Sequence, residues 1–159
     1  MRRKTIIGVI GASEASEKGK EVARQVGREI ARAGAVMVCG GLGGVMEAAA
    51  RGCAEEGGEV LGILPGPDPA AANPWVTIAV PTNIGYARNI VITHTAAALI
   101  AVEGEYGTLS EVAIGLKLGR PVLALDSWNA VPGVQVCSSA QEAVSRALSL
   151  IAHDFDEGT

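Results

Sequence analysis

The sequence predicts an α/β protein: one domain, residues 1–159, on a doubly wound, mostly parallel sheet with helices on both faces. Three observations carry this. Short aliphatic runs alternate along the chain with longer amphipathic segments. Glycine numbers 21 and gathers between those runs, as tight turns between short elements require. Hydrophobic residues make up 48% of the chain but aromatic ones only 3%. The core is therefore a packing of Val, Ile, Leu and Ala, as in strands covered on both faces.

Thr5 to Ile10 reads as the first strand. Glu17 to Ala33 reads as a helix, with Val22, Val26 and Ile30 on one face and Lys20, Arg24 and Arg28 on another. Gly34 ends it, and Ala35 to Cys39 is the second strand. Gly40-Gly41-Leu42-Gly43-Gly44 turns into a helix from Val45 to Glu56. There Met46, Ala49, Ala50 and Cys53 keep helical spacing, and Glu47, Arg51 and Glu55 form an exposed ladder. Gly57-Gly58 is a turn and Glu59 to Leu64 the third strand. Pro65 to Pro74, with four prolines in ten residues, is a loop. Val76 to Val80 is a short strand and Asn83 to His94 a helix. Ala96 to Val102 is a central strand, Thr108 to Leu118 a helix, and Val122 to Leu125 a strand after the turn Gly119-Arg120-Pro121. Val134 to Val136 is an edge strand, and Ser139 to Ala152 closes the chain as a helix.

The net charge of −4 does not attract polyanions, and so few aromatics make no stacking platform. Nucleic acid is therefore not an expected partner. Cys39, Cys53 and Cys137 are odd in number, far apart and without ligand spacing, which points to reduced, buried thiols in a cytoplasmic protein. His94 and His153 have no partner pattern, so no metal site is expected. Met1-Arg2-Arg3-Lys4 and the apolar run after it mimic a short leader, but the run fits better as the first strand of the series. No run approaches the ~20 apolar residues of a membrane span, so no membrane partner is expected.

In a sheet of this kind the ligand sits beyond the carboxyl ends of the strands, near the point where strand order reverses. The loops there are Gly11 to Ser16, Gly40 to Gly44 and Glu103 to Gly107, and glycine is concentrated in them. Four glycines in the five residues from Gly40 exceed the needs of a turn and suit close approach of a phosphate. The loop is not a dinucleotide fingerprint, because Met46 takes the sixth position counted from Gly41 and no acid ends the second strand. Thr108-Leu109-Ser110-Glu111 has two readings. It is a capping box, with Thr108 capping the helix and Glu111 reaching back. Equally, Glu111 is a carboxylate beside a phosphate site, placed for general-base work or for stabilising a cation. Arg88 lies among apolar neighbours and needs an anion, either Glu111 or a ligand phosphate. The helix after Thr108 carries Leu109, Val112, Ala113 and Leu116 on one side and Glu111, Ile114, Gly115 and Leu118 on the other. Burial of both sides predicts a homodimer through this helix, with Gly115 allowing close approach.

Together these residues resemble the LONELY GUY family of Rossmann-like phosphoribohydrolases. That family carries P-G-G-x-G-T-x-x-E after the central strand, G-G-G-x-x-G-x-M after the second strand, and an Arg-Lys pair on the preceding helix. Here the first reads Glu103-Gly104-Glu105-Tyr106-Gly107-Thr108-Leu109-Ser110-Glu111, the second Gly40-Gly41-Leu42-Gly43-Gly44-Val45-Met46, and the pair Arg88-Asn89. The Arg88-Asn89 version looks nearest the branch that includes molybdenum-cofactor carrier proteins. Glu103 and Glu105 depart from the motif and would oppose an anion unless they point away. The resemblance implies a Rossmann-like fold binding a nucleotide or molybdopterin-type ligand as carrier or sensor, with no cofactor required. Its alternative is hydrolysis of a nucleoside 5′-monophosphate to free base and ribose 5-phosphate. The implied ligand-binding residues are Gly11, Ser13, Gly40, Gly41, Gly43, Gly44, Met46, Asn89, Gly104, Gly107 and Thr108, and the implied catalytic pair is Arg88 and Glu111.

Overall fold

A computed structural model describes residues 1–156. Along the chain run β1 (Ile6–Gly11), α1 (Glu17–Arg32), β2 (Val36–Cys39), α2 (Val45–Glu55), β3 (Val60–Leu64), β4 (Ile78–Pro81), α3 (Arg88–Thr95), β5 (Ala98–Val102), α4 (Tyr106–Lys117), β6 (Val122–Leu125), β7 (Gln135–Val136) and α5 (Ala140–Asp156). The seven strands form one sheet in the order β4-β3-β2-β1-β5-β6-β7, and each neighbouring pair is parallel. The expected doubly wound sheet is thus wholly parallel. Strand order reverses between β1 and β5, which pair from Ile7 with Ala98 to Gly11 with Val102. The run that mimics a leader is the central strand.

Helices α1, α2 and α5 cover one face, where Val26, Ile30, Ala49, Val144 and Ala147 pack on Ile7, Val9, Met37 and Ile100. Helices α3 and α4 cover the other, where Ile92 and Val112 pack on Ile10, Val38, Leu99 and Val122. All five residues of β5 are buried, which explains its unbroken apolar sequence. Cys39, Cys53 and Cys137 are free and buried. Burial pushes the Cys39 thiol up to about 12 and Cys53 up to about 11, so neither is a ready nucleophile.

α1 and α2 meet backbone to backbone. A Cβ on Gly27 would lie 1.9 Å from the Ala49 carbonyl oxygen, and one on Gly52 would lie 1.9 Å from the Arg24 carbonyl oxygen. Above this contact Glu55 accepts from Arg24 at 2.8 Å, Arg28 at 3.1 Å and Arg51 at 2.9 Å. The Arg24 hydrogen bonds, followed by those of the other two, hold its carboxyl down to about 2.

Several elements depart from the sequence reading. The proline-rich loop contains a 3-10 turn, Pro69–Ala71, capped by the Asp68 side chain. The helix expected from Asn83 is a 3-10 turn, Gly85–Ala87, running into α3 at Arg88, because Asn83 and Gly85 both hold positive φ. α4 begins at Tyr106, two residues before Thr108. Its sheet-facing side is Thr108, Glu111, Val112 and Gly115, whereas Ala113 is exposed. Gly115 gives close approach to β5 and not to a second subunit: a Cβ there would lie 2.5 Å from Leu99 Cδ1.

Candidate functional site

The three glycine-bearing loops converge, as the parallel topology requires, at the carboxyl ends of β1, β2 and β5. Between them and the first turns of α3 and α4 lies a cavity of ≈ 430 Å³. Gly11, Ser13, Gly40, Met46, Arg88, Asn89, Gly107, Thr108 and Glu111 all line it. Gly41, Gly43, Gly44 and Gly104 do not, and three of them shape the loops instead. Gly41 packs against Gly62 and Leu64 at φ +76, and Gly44 fits over the Ala12 and Ser13 carbonyls at φ +65. Gly104, at φ +103, leaves room for the Thr108 side chain. Gly43 has only the Ser13 carbonyl within reach, at 3.9 Å from where a Cβ would stand.

The floor is polar and buried. Arg88, Asn89, Thr108 and Glu111 are 8%, 6%, 4% and 7% exposed. Arg88 begins α3 and passes beneath Gly40, where a Cβ would lie 2.7 Å from its Nη2. Its Nη1 donates to the Asn89 side-chain oxygen, while its Nε is buried without a hydrogen-bond partner among the described residues. An unpaired buried guanidinium N–H is costly and calls for an acceptor. α4 presents its N-terminus to the same cavity. Its cap, Glu105, makes no side-chain capping bond, so the first amides of the helix remain donors. An oxyanion would be held there by backbone N–H groups and by Arg88.

The capping-box reading of Glu111 is overturned. With α4 starting at Tyr106, Thr108 lies inside the helix and Glu111 lies more than a turn in, out of reach of the cap. Its carboxyl is buried in the cavity floor, and burial, only partly offset by Arg88, pushes it up to about 8. Arg88 is shifted downward by the same burial and supported by Glu111; a guanidinium stays charged regardless. At neutral pH the floor thus holds one fixed positive charge beside a carboxylic acid that can donate, and that becomes a base once it loses its proton.

This shift has a measurable consequence. A carboxyl whose folded pKa is raised contributes stability that is present below the unfolded value and lost as pH rises through the folded one. Between pH 4.5 and about 8, wild type is expected to lose a few kcal/mol relative to Glu111→Gln, the difference levelling off above that range. Paired thermal melts across pH 5–9 read this out; parallel curves would place the Glu111 pKa in the ordinary carboxylate range.

The mouth of the cavity carries residues that sequence reasoning missed. Tyr86 and Tyr106 are 90% and 82% exposed and both line it. The Tyr106 ring lies 6.3 Å from that of Trp128, whose Nε1 donates to the Glu105 carbonyl at 3.1 Å. The clue was scarcity: three of the five aromatic residues in the chain gather here. Of the two acids that depart from the motif, Glu105 lines the cavity at its exposed mouth. Glu103 points away, toward Ser16 at the start of α1.

Comparison with known proteins agrees with this architecture. The sequence profile of the SLOG cluster4 family matches residues 4–153. A protein of uncharacterised function from Archaeoglobus fulgidus is 45% identical over 143 residues, covering 90% of this chain and 94% of that protein. The solved structure of the molybdenum cofactor binding protein of Rippkaea orientalis is 34% identical with a TM-score of 0.89, covering 95% of this chain and 99% of that one. The Moco carrier protein of Chlamydomonas reinhardtii is 32% identical with a TM-score of 0.87, covering 95% and 99%. This is the branch that Arg88-Asn89 pointed to. With the profile matched over nearly the whole chain, the protein belongs to the SLOG cluster4 family.

Proposed function

We propose that the protein binds a phosphorylated, nucleotide-like or molybdopterin-type small molecule in the cavity at the carboxyl ends of β1, β2 and β5, as a carrier or sensor. The observation that carries this reading is the buried Arg88, with an unpartnered Nε, beside the uncapped N-terminus of α4. The phosphate sits between them, and the planar part of the ligand extends toward Tyr86 and Tyr106. Similarity to proteins described as binding or carrying molybdenum cofactor supports the same ligand chemistry.

A second reading is favoured by Glu111. A carboxyl buried beside the phosphate position and holding a proton up to about pH 8 suits acid–base work on an N-glycosidic bond. In that case the protein releases a free base and ribose 5-phosphate from a nucleoside 5′-monophosphate, with Arg88 orienting the ligand.

One experiment separates the two. Wild type and Glu111→Gln are incubated with a panel of nucleoside 5′-monophosphates and assayed for free base and ribose 5-phosphate, with thermal stabilisation followed in parallel. Stabilisation without release supports the carrier. Release by wild type but not by the folded variant supports the hydrolase. Neither effect, with a molybdopterin-type ligand also failing to stabilise, rejects both.

We further propose that a second copy of the chain packs on the outer side of α4, the helix carrying Thr108, and on the neighbouring α3, whose Ile90 and Val91 are 47% and 36% exposed. Sedimentation equilibrium is expected to give a dimer for wild type and a monomer for Ile90→Glu; a monomeric wild type removes this reading.

A further inference from the structure

The reversal of strand order between β1 and β5 opens a crevice beyond their carboxyl ends, where proteins of this architecture receive ligands. Glu103 spans it. The residue stands just after β5, yet its carboxylate accepts from the Ser16 backbone N–H at 3.1 Å and from the Ser16 hydroxyl, at the start of α1. Its backbone is held at φ +52, an uncommon conformation for a residue with a side chain. Its carbonyl accepts from the Ser127 hydroxyl at 2.5 Å. Gly19 leaves the space: a Cβ there would lie 2.3 Å from a Glu103 carboxylate oxygen. The strut divides the crevice. Glu105 to Thr108 line the cavity already described, whereas Glu103 lines a separate one of ≈ 270 Å³ between α1 and α5.

We propose that Glu103 is a built-in anion that occupies the N-terminus of α1 and so restricts the site to ligands carrying a single phosphate. The free N–H groups at the start of the helix after the first strand are where such folds hold a pyrophosphate. Here a carboxylate of the chain itself sits at that helix start, held by the N–H and the hydroxyl of the cap residue Ser16. A monophosphate uses α4 and Arg88 alone. The second phosphate of a diphosphate meets a negative charge where a donor would otherwise be. This rests on the reading of the cavity as a phosphate site and adds to it a specificity-determining residue.

The test uses the full chain, isothermal titration calorimetry, and four probes: inorganic phosphate, inorganic pyrophosphate, AMP and ADP. Glu103→Gly suits the left-handed backbone, and Ser16 still caps α1 by accepting from the Gly19 N–H. The variant is expected to gain about tenfold or more in affinity for pyrophosphate and ADP, with phosphate and AMP within about threefold of wild type. Glu103→Gln, which keeps the side-chain length without the charge, moves the same way and serves if the glycine variant does not fold. Variants that discriminate as wild type does, or a wild type that binds ADP as tightly as AMP, overturn the assignment. If wild type binds neither phosphate nor AMP while the variants gain pyrophosphate, the cavity reading fails and the role of Glu103 stands.

Discussion

Replacing Gly27 by alanine is expected to destabilise the protein by about 3 kcal/mol, the upper range for overpacking a close contact. The new methyl group would lie 1.9 Å from the Ala49 carbonyl oxygen, with Cys53 N at 2.8 Å. Both are backbone atoms, so no rotamer change relieves the clash and α1 must move off α2. That movement also stretches the Arg24 and Arg28 bonds to Glu55. For a chain of this length the melting temperature should fall by roughly 6–12 °C. The control is Gly34→Ala: a Cβ there meets nothing within 4 Å, although φ +74 makes it unfavourable. It should therefore cost about 1 kcal/mol. Melts of the two variants side by side check the expectation; equal losses would mean that α1 and α2 can separate at little cost.

The second large effect belongs to Arg88. Arg88→Met keeps much of the side-chain volume and removes the charge. Truncating one member of a buried, hydrogen-bonded charge pair costs about 2–5 kcal/mol of binding. Affinity for a phosphorylated ligand should thus fall ~30-fold or more. Arg88 also favours the ionised form of Glu111, so in the variant that carboxyl is held still further toward its neutral form. The protein remains folded, since the floor then carries two uncharged groups. Arg88→Lys restores the charge without the planar fork and should recover only part of the affinity. Calorimetry on the three proteins checks this; unchanged binding in Arg88→Met would assign the guanidinium to the fold alone.

How much was legible in the sequence follows from the range of each interaction. The strands were readable because every one but the edges is buried on both faces, which writes unbroken aliphatic runs into the chain. The loops that line the cavity were readable because glycine marks them. The start of α4 was not. Thr108 and Glu111 have the spacing of a capping box, but the turn at Gly104 lets the helix begin at Tyr106 and draws Thr108 against that turn instead. Gly115 was read as a place of close approach to a second copy, but periodicity alone does not name the neighbour, which is Leu99 of β5. Nothing local announces Glu103, whose partner Ser16 is distant in sequence. The burial of Arg88 was foreseen from its apolar neighbours, and the unpaired Nε that makes it informative is a product of tertiary packing.

The position of β1 at the centre of the sheet also sets an order of assembly. β2 follows closely and can pair with one side of β1 as soon as α1 has formed. The other side must wait for β5, whose register runs from Ala98 to Val102. A half-sheet formed before β5 is made would have an open, aliphatic central edge, the kind of edge that templates pairing with other chains. Closing it requires a long loop to come together, which slows folding in a topology of non-local contacts. The cavity draws on the segments after β1, β2 and β5, so it is complete only when that last pairing is made. A ligand bound there as proposed would be captured late in the life of each new chain, and its binding would report that the chain has finished folding.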